Sequence, residues 1–279
     1  MTVKIITDSS ASIPPDVVEE LGITIIPSLI RFGEEVYRDG VDLTTEQFYE
    51  RLTTDKTHPT TSVPTPQSFV DAYEKLAEEA DGVAVITISH KLSAVGDVAR
   101  QAMGLAKKKP RVEIIDSNWA LMSEGLIVIT AARAAKAGAS LDEVLEVARR
   151  NIPRADLRMA FDTLKYLERG GRIGKAQALL GSMLKINPIL GLKDGEIYPV
   201  GREHSRSKAI ENLYNFVNSF SRIEELAIGD GTTPDEADAL VERLSAKFPT
   251  ERIFRFKVTP AVGAHVGPHV LAVAILGDR

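Results

Sequence analysis

The chain has 279 residues, of which 44% are hydrophobic and 26% are charged, so it is long enough for two domains and too apolar to be disordered. A formal net charge of −5 provides no general field for attracting nucleic acid. The absence of cysteine excludes disulfides, thiolate metal sites and a cysteine nucleophile. With no signal-peptide core and no apolar run that could span a bilayer, the sequence predicts a soluble, cytoplasmic protein without an integral membrane segment.

Short β-branched runs alternate with helical patterns in the first half, which is typical of a mainly parallel sheet. The predicted strands are 3–7, 23–32, 35–37, 82–88 and 112–115. The predicted helices are 15–21, 45–52, 66–80, 94–107, 123–136 and 141–152. Pro153 discourages continuation of the last helix, so we predict a first α/β domain over residues 1–152.

The second half, residues 153–279, is predicted to form another α/β domain, with a mixed sheet. Its predicted strands are 157–161, 188–192, 197–200, 226–228, 253–258 and 270–275. Its predicted helices are 175–184, 207–220 and 234–248. The pair Asp194-Gly195 is a strong hairpin signal between the second and third of these strands.

Two hydroxyl-rich segments each precede a predicted helix. The first runs from Thr60 to Pro66 and contains four hydroxyls, and the second, from Ser89 to Ala94, follows a predicted central strand. Backbone N–H groups and hydroxyls at a helix N-terminus can hold an anion. In open α/β sheets ligands also bind at the carboxyl ends of strands. Simple helix capping explains the same residues, and Ser93 is the predicted cap of the second helix, so both interpretations stay open.

Two further segments contain glycine next to residues that could bind a ligand or a partner. In 263–269, His265 lies between glycines that allow close backbone approach, and a tight connection with a chance histidine is the alternative. Because Gly267 and Pro268 separate His265 from His269, we reject a metal-binding helix there. In 166–175, the basic Arg-Gly-Gly-Arg corner suits docking of a partner, although a solvated turn is the default.

A hydrolase is a second class of function to consider. Ser93, His265 and Asp8 would have to converge to form its triad, but the sequence has no G-x-S-x-G elbow. A third class, a binder of phosphate, nucleotide or another short anion, would use the same hydroxyl-rich segments. The residues alone leave these alternatives open.

The ordered set of these motifs resembles the DegV family over essentially the whole chain. The matching segments are Thr7-Asp8-Ser9-Ser10, Thr61-Ser62-Val63-Pro64, Leu92-Ser93, 166–173 and 263–268. The resemblance implies a carrier without catalytic activity or cofactor that binds one long-chain fatty acid, such as palmitate, stearate or oleate. It also implies that an ATP-dependent fatty acid kinase phosphorylates the bound acid to an acyl-phosphate for phospholipid synthesis, and it allows transient membrane contact for lipid exchange.

The resemblance also assigns roles to residues, and it places the lipid site in the first domain near the domain interface. The residues expected to bind the ligand, the first two through its carboxylate, are Thr61, Ser93, Ser62, His265 and Arg202. Arg172 and Arg206 are expected to dock the kinase. We expect the first domain to supply the pocket wall, including Leu29, Ile30 and residues 125–129, although packing in the core explains these residues equally well. No metal ligand is expected.

Three positions depart from the family pattern. Ala94-Val95-Gly96 stands where many members have Gly-Thr-Tyr, and His269 replaces the last glycine of a Gly-Pro-Gly end. Both changes leave the expected carboxylate ligands in place and concern the shape of the pocket. His204 stands where the family often has arginine, which concerns coupling to the kinase.

Overall fold

The computed structural model describes residues 2–182 and 186–279, in which helices flank three sheets. The strands are β1 (Val3–Asp8), β2 (Thr24–Ile26), β3 (Leu29–Phe32), β4 (Glu35–Arg38), β5 (Thr60–Ser62), β6 (Gly82–Thr87), β7 (Arg111–Asp116), β8 (Ala155–Ala160), β9 (Asn187–Lys193), β10 (Glu196–Glu203), β11 (Arg222–Asp230), β12 (Ile253–Lys257) and β13 (Leu271–Asp278). The helices are α1 (Pro15–Leu21), α2 (Thr45–Thr54), α3 (Pro66–Leu76), α4 (Val95–Leu105), α5 (Met122–Lys136), α6 (Leu141–Asn151), α7 (Lys165–Arg169), α8 (Arg206–Asn218), α9 (Pro234–Ser245) and α10 (Pro260–Val266). Short 3-10 helices cover Ser9–Ala11, Ile152–Arg154, Gly174–Ser182 and Thr250–Arg252.

The first domain is built on a four-stranded sheet in the order β2-β1-β6-β7, and all of its strands are parallel. Every residue of β6 is buried. This burial explains its continuous apolar sequence, because a parallel sheet is covered on both faces. The predicted parallel sheet is confirmed.

The predicted strand over 23–32 is wrong, because the chain changes sheets in the middle of it. Its first part, β2, joins the parallel sheet, whereas β3 pairs antiparallel with β4 and β5 in a separate three-stranded sheet. Pro27 lies between the two parts and cannot donate a ladder hydrogen bond, which explains the break. Residues 60–62, which we had treated as a loop before a helix, form β5 of the same small sheet.

The second domain has a six-stranded sheet in the order β10-β9-β8-β13-β11-β12. All neighbours are antiparallel except β11 and β12, which confirms the predicted mixed sheet. The predicted hairpin joins β9 to β10. Asp194 and Gly195 at its tip both have positive φ, 52° and 79°, as a type I′ turn requires.

Helix α5 lies between the two larger sheets. All residues from Met122 to Ile129 are buried, and the helix packs against β1 on one side and against β8 and β13 on the other. The apolar core is therefore continuous from one domain to the other. The strands of the four-stranded parallel sheet all precede α5, and those of the six-stranded sheet begin with β8, while a boundary between residues 152 and 153 stays a prediction.

Two helical predictions in the second half need correction. Residues 263–266 of the segment 263–269, for which the sequence allows a tight connection, belong instead to helix α10, with Pro260 in its first turn and Gly267 ending it at φ 82°. The segment predicted as a helix over 175–184 is a 3-10 helix over Gly174–Ser182, and Leu184 lies outside the described residues. No helix within 2–182 or 186–279 has both the length and the apolar character needed to cross a membrane.

Candidate functional site

A narrow, mainly apolar cavity of about 190 Å³ lies between the parallel sheet and the six-stranded sheet. It begins at the carboxyl ends of β1 and β6, where a ligand site is expected in an open α/β sheet. The lining residues are Ser10, Ser28, Thr61, Ser62, Val63, Ile88, Leu92, Ser93, Ala94, Ala120, Leu121, Leu157, Met159, Leu167, Arg172, Leu192, Ile197, Ala261, Val262, His265 and Val266.

The floor of the cavity is a row of side chains from the second domain. Leu157 of β8 stands beside Leu192 of β9, and Leu192 pairs with Ile197 of β10, so the three lie side by side across the sheet. The hairpin that carries two of them is fastened to the first domain, because the Ser89 hydroxyl donates to the carbonyl of Gly195 at 2.8 Å. Both domains therefore form the cavity.

The residues expected to form the pocket wall do not line this cavity. Ile30 is buried in a separate cluster with residues of α2 and α10. Gly125 packs against the backbone of Ala11. Neither Leu29 nor any residue of 125–129 belongs to the lining. Ile30 and residues 125–129 are buried in the protein core instead, and Leu29 is only partly buried.

Five of the seven predicted functional residues meet at one end of the cavity, which we call the mouth. They are Thr61, Ser62, Ser93, His265 and Arg172. Thr61 lies on β5 and His265 in the last turn of α10, yet Oγ1 of Thr61 is only 2.7 Å from Nε2 of His265. A residue of the small sheet and a residue of the second domain therefore form one polar pair.

The imidazole of His265 is held neutral. Burial lowers its pKa to about 4, and the positive charge of Arg172 and the neighbouring His58 act in the same direction. Its Nδ1 atom is buried without a hydrogen-bond partner among the described residues. We assign the ring hydrogen to Nε2, because a buried N–H without an acceptor costs more than an unpaired lone pair facing carbon. His265 then donates to Thr61, and the Thr61 hydroxyl keeps its own hydrogen for another acceptor.

Gly170 explains why nothing pairs with Nδ1 of His265. The backbone of Gly170 lies directly against the ring, and a side chain at this position would overlap Nδ1. The Arg-Gly-Gly-Arg corner is thus packed against the site. A single sequence shows the glycine but cannot show the ring that it accommodates.

Ser93 does not cap the following helix. The N-cap of α4 is Ala94, and no side chain caps it. The backbone N–H of Ser93 donates to the carbonyl of Ser89 at 3.0 Å, while its hydroxyl makes no hydrogen bond to any residue that the structure describes. Ser93 therefore presents a free hydroxyl to the cavity. It does not have the capping role that the sequence predicted.

Arg172 forms the outer rim of the mouth. Its Nε donates to the carbonyl of Leu92 at 3.2 Å and its Nη1 to the carbonyl of Gly170 at 2.8 Å. The side chain is exposed and connects the glycine-rich corner to the segment that carries Ser93. The mouth thus has a cation at its edge.

Arg202 and Arg206 lie away from the mouth and do not line the cavity. Arg202 is on β10, the edge strand of the six-stranded sheet. Arg206 begins α8, and its guanidinium binds Glu236 at 2.6 Å and Asp162 at 3.3 Å. Their assigned roles in ligand binding and docking stay predictions.

Asp8 holds together the two strand ends that open into the cavity. Its carboxylate accepts the backbone N–H groups of Ser10 and Ile88, each at 3.0 Å, and both of these residues line the cavity. Burial raises the pKa of Asp8, and that of the neighbouring Glu124 still further. Asp8 makes no hydrogen bond to His265, so Ser93, His265 and Asp8 do not form the contacts of a hydrolase triad.

The sequence reading missed Ser10 and Ser28, which both line the cavity. The position of Ser10, just after a central parallel strand, was a usable signal. Within the described ranges, no three His, Cys, Asp or Glu side chains could hold a metal ion together. His269, the second histidine of its segment, instead pairs with Asp162 through Nδ1 at 3.0 Å.

The sequence and the fold are both similar to those of known proteins. A sequence model described as "Uncharacterised protein, DegV family" matches residues 2–278. A DegV domain-containing protein of Streptomyces coelicolor is 34% identical, with 98% of each chain covered. A fatty-acid-binding DegV family protein of Thermus thermophilus has a similar structure, with a TM-score of 0.91, 30% identity and coverage of 99% of this chain and 100% of that one. DegV of Bacillus subtilis, described as a fatty acid binding protein, has a TM-score of 0.89, 29% identity and 99% coverage of both. The chain belongs to the DegV family.

Proposed function

We propose that this chain binds one long-chain fatty acid in the cavity between its sheets, with the carboxylate at the mouth and the acyl tail over the floor. One observation carries the proposal: an apolar cavity ends at two hydroxyls, Thr61 and Ser93, that are available to donate. The fatty acid binding described for the relatives from Thermus thermophilus and Bacillus subtilis supports it.

The tail supplies most of the affinity in this arrangement. Burial stabilises the complex by roughly 0.8 kcal/mol per CH₂ group, so about 14 methylenes contribute on the order of 11 kcal/mol. Hydrogen bonds to a charged carboxylate contribute about 1.5–3 kcal/mol each. Association and ordering of the chain offset a large part of this sum. The apolar floor therefore supplies most of the affinity, and the hydroxyls add a smaller part and determine which end faces out.

The mouth can recognise a carboxylate without burying an uncompensated charge. The Thr61 oxygen accepts the Nε2–H of His265, so the Thr61 hydroxyl hydrogen can be donated to the carboxylate. Ser93 donates to the carboxylate from the other side. His265 is neutral, so it fixes the direction of the Thr61 hydroxyl and adds no charge. Arg172 at the rim is the cation that offsets the negative charge.

We further propose that the chain is a carrier that presents its lipid to a separate ATP-dependent kinase. A carboxylate at the mouth would be the part of the ligand nearest to solvent, where a partner could transfer a phosphoryl group to it. The exposed Arg172 lies beside that position and suits docking or contact with the incoming phosphate.

Arg172→Ala should affect phosphorylation more than binding. We expect the rate of acyl-phosphate formation with a bacterial fatty acid kinase subunit to fall by at least about 10-fold, because a cation at the rim acts on docking of the kinase and on phosphoryl transfer. Fatty acid affinity should change by less than about 3-fold, because Arg172 is exposed and a solvent-exposed ion pair contributes little to binding. Arg100→Ala, which removes an exposed arginine of α4 outside the cavity, is the control. An equal loss of affinity and rate would contradict the docking role.

Mass spectrometry tests the binding function directly. The protein is measured under native and then denaturing conditions after ordinary bacterial expression. We expect an excess mass equal to one fatty acid, which disappears on denaturation and identifies the chain length taken from the host. A ligand-free mass that persists after incubation with palmitate, stearate and oleate would reject the proposal in favour of a short-anion binder or a hydrolase.

A further inference from the structure

Asp39 is a buried carboxylate that lies outside the cavity lining, and only 3% of the residue is exposed. It follows β4 and contacts two segments, the residue before β3 and the first turn of α10. Its Oδ2 atom accepts the backbone N–H of Ala261 at 3.1 Å, and its own N–H donates to the carbonyl of Ser28 at 2.9 Å. Both Ser28 and Ala261 line the cavity.

The first contact fixes the helix that carries His265. Ala261 lies in the first turn of α10, where backbone N–H groups have no partner within the helix. The N-cap residue, Thr259, does not cap these groups, because its hydroxyl donates to the carbonyl of Ser9 at 2.8 Å. Asp39 therefore takes the role of the cap. His265 is four residues after Ala261, so it lies on the same face of the helix.

The second contact fixes the strands that carry Thr61. Ser28 directly precedes β3, and in this sheet Ile30 of β3 stands opposite Thr61 of β5. The N–H of Ser28 also donates to the hydroxyl of Ser9 at 3.1 Å, which joins β3 to the end of β1. Asp39 is thus the residue that binds both the start of β3 and the start of α10.

We propose that Asp39 is a positioning residue of the carboxylate site: it holds β3 and α10 in the arrangement that brings Thr61 and His265 together. The inference deepens the proposed function and rests on it for its effect on fatty acid binding. The alignment of the two side chains is itself a property of the ligand-free protein.

The charge of Asp39 provides an independent readout of this coupling. Burial raises its pKa to about 7, and the nearby Asp8 acts in the same direction, while the neighbouring Ser9 hydroxyl and the N–H of Ala261, which donates to Oδ2, oppose the change. Tyr49 of α2 also faces Asp39, and burial raises its pKa well above the usual range, so it stays neutral. Asp39 therefore changes its charge near neutral pH, where His265 does not.

Asp230 also faces Tyr49, and it is fully buried. Its carboxylate is neutralised by Lys257 at 2.6 Å and Arg255 at 3.2 Å, which bind it directly. Neither of these cations hydrogen-bonds Asp39. They therefore compensate Asp230, and the negative charge of Asp39 interacts mainly with the N-terminus of α10 and with Asp8.

The test is nitrogen NMR of the histidine rings in the ligand-free protein, with His265→Gln used to assign the signal. We expect one Nε2–H form of His265 in the wild type, a mixture of the two neutral forms in Asp39→Ala, and wild-type signals in Asp39→Asn, whose amide can still accept from Ala261. Asp42→Ala, which removes an exposed carboxylate of the same loop, is the control. Wild-type signals in Asp39→Ala would overturn the inference.

A pH titration keeps the inference testable if Asp39→Ala does not fold. The His265 ring signals of the wild type should show an inflection near pH 7 that is absent from Asp39→Asn; the same titration in both proteins would overturn the coupling. In parallel, palmitate affinity should fall about 10-fold in Asp39→Ala and less than 3-fold in Asp39→Asn. Absence of palmitate binding in the wild type would reject the proposed function, and the ring signals would still decide the role of Asp39.

Discussion

The double variant Thr61→Val, Ser93→Ala is expected to lower fatty acid affinity by at least about 100-fold. Each substitution removes a hydroxyl that we propose as a donor to the carboxylate, and a hydrogen bond to a charged group contributes about 1.5–3 kcal/mol. Two such losses amount to at least about 3 kcal/mol, or about two powers of ten in Kd. Valine keeps the shape of threonine and alanine that of serine, so the cavity itself should remain.

Titration with a fluorescent fatty acid, followed by displacement with palmitate, measures this effect. Thr60→Val is the matched control, because Thr60 is an exposed neighbour on β5 that does not line the cavity. The double variant should stay folded but lose about 1–3 kcal/mol of stability, because Thr61→Val leaves the buried Nε2–H of His265 without its acceptor. Affinity within about 3-fold of the wild type would show that the carboxylate binds elsewhere.

Stability should depend on pH through His265, by about 3 kcal/mol between pH 4 and 6.5. The pKa of His265 is about 4 in the folded protein and near 6.5 when the chain unfolds. Between these values the unfolded chain binds the additional proton, so the free energy of unfolding rises with pH across this window. The stabilisation is complete above pH 6.5 and is lost as the pH falls through 4.

Denaturant unfolding of wild type and His265→Gln at several pH values isolates this contribution. The difference between the two proteins should itself change by about 3 kcal/mol from pH 4 to 6.5, at about 1.4 kcal/mol for each unit of pKa difference. The difference between the two proteins is needed because Asp8, Glu124 and Asp39 also titrate. Their pKa values are raised in the folded protein, so each lowers the free energy of unfolding as it loses its proton with rising pH. His204→Gln, at an exposed site, is the control. A difference that is constant with pH would mean that His265 is not held neutral by burial.

The sequence predicted the parallel sheet and indicated five of the residues that line the cavity, because both depend on local patterns. The apolar run of β6 is readable as a buried strand, and the polar residues after β1 and β6 lie where parallel strands end. The order of motifs along the chain also indicated the DegV family. These features require no knowledge of which distant segments meet.

The remaining features depend on contacts between segments far apart in the chain. Thr61 and His265 are 204 positions apart, and nothing in either segment specifies that their side chains pair. The cavity floor comes from β8, β9 and β10, because their register places Leu157, Leu192 and Ile197 in one row. Helix α10 was missed because seven residues with an internal glycine give little helical periodicity. The sequence predicts which apolar side chains are buried, but it does not show which of them lie in the core and which line the cavity.

The position of α5 between the two sheets has a consequence for how a lipid would enter and leave. Moving the domains apart as rigid bodies would expose both faces of a helix that is buried from Met122 to Ile129, at a cost of about 25 cal/mol for each Å² of apolar surface. Hinge opening is therefore an unfavourable route. Exchange of the ligand should instead proceed through small displacements at the mouth, where Arg172 connects the glycine-rich corner to the neighbouring loop by donating to the carbonyls of Gly170 and Leu92.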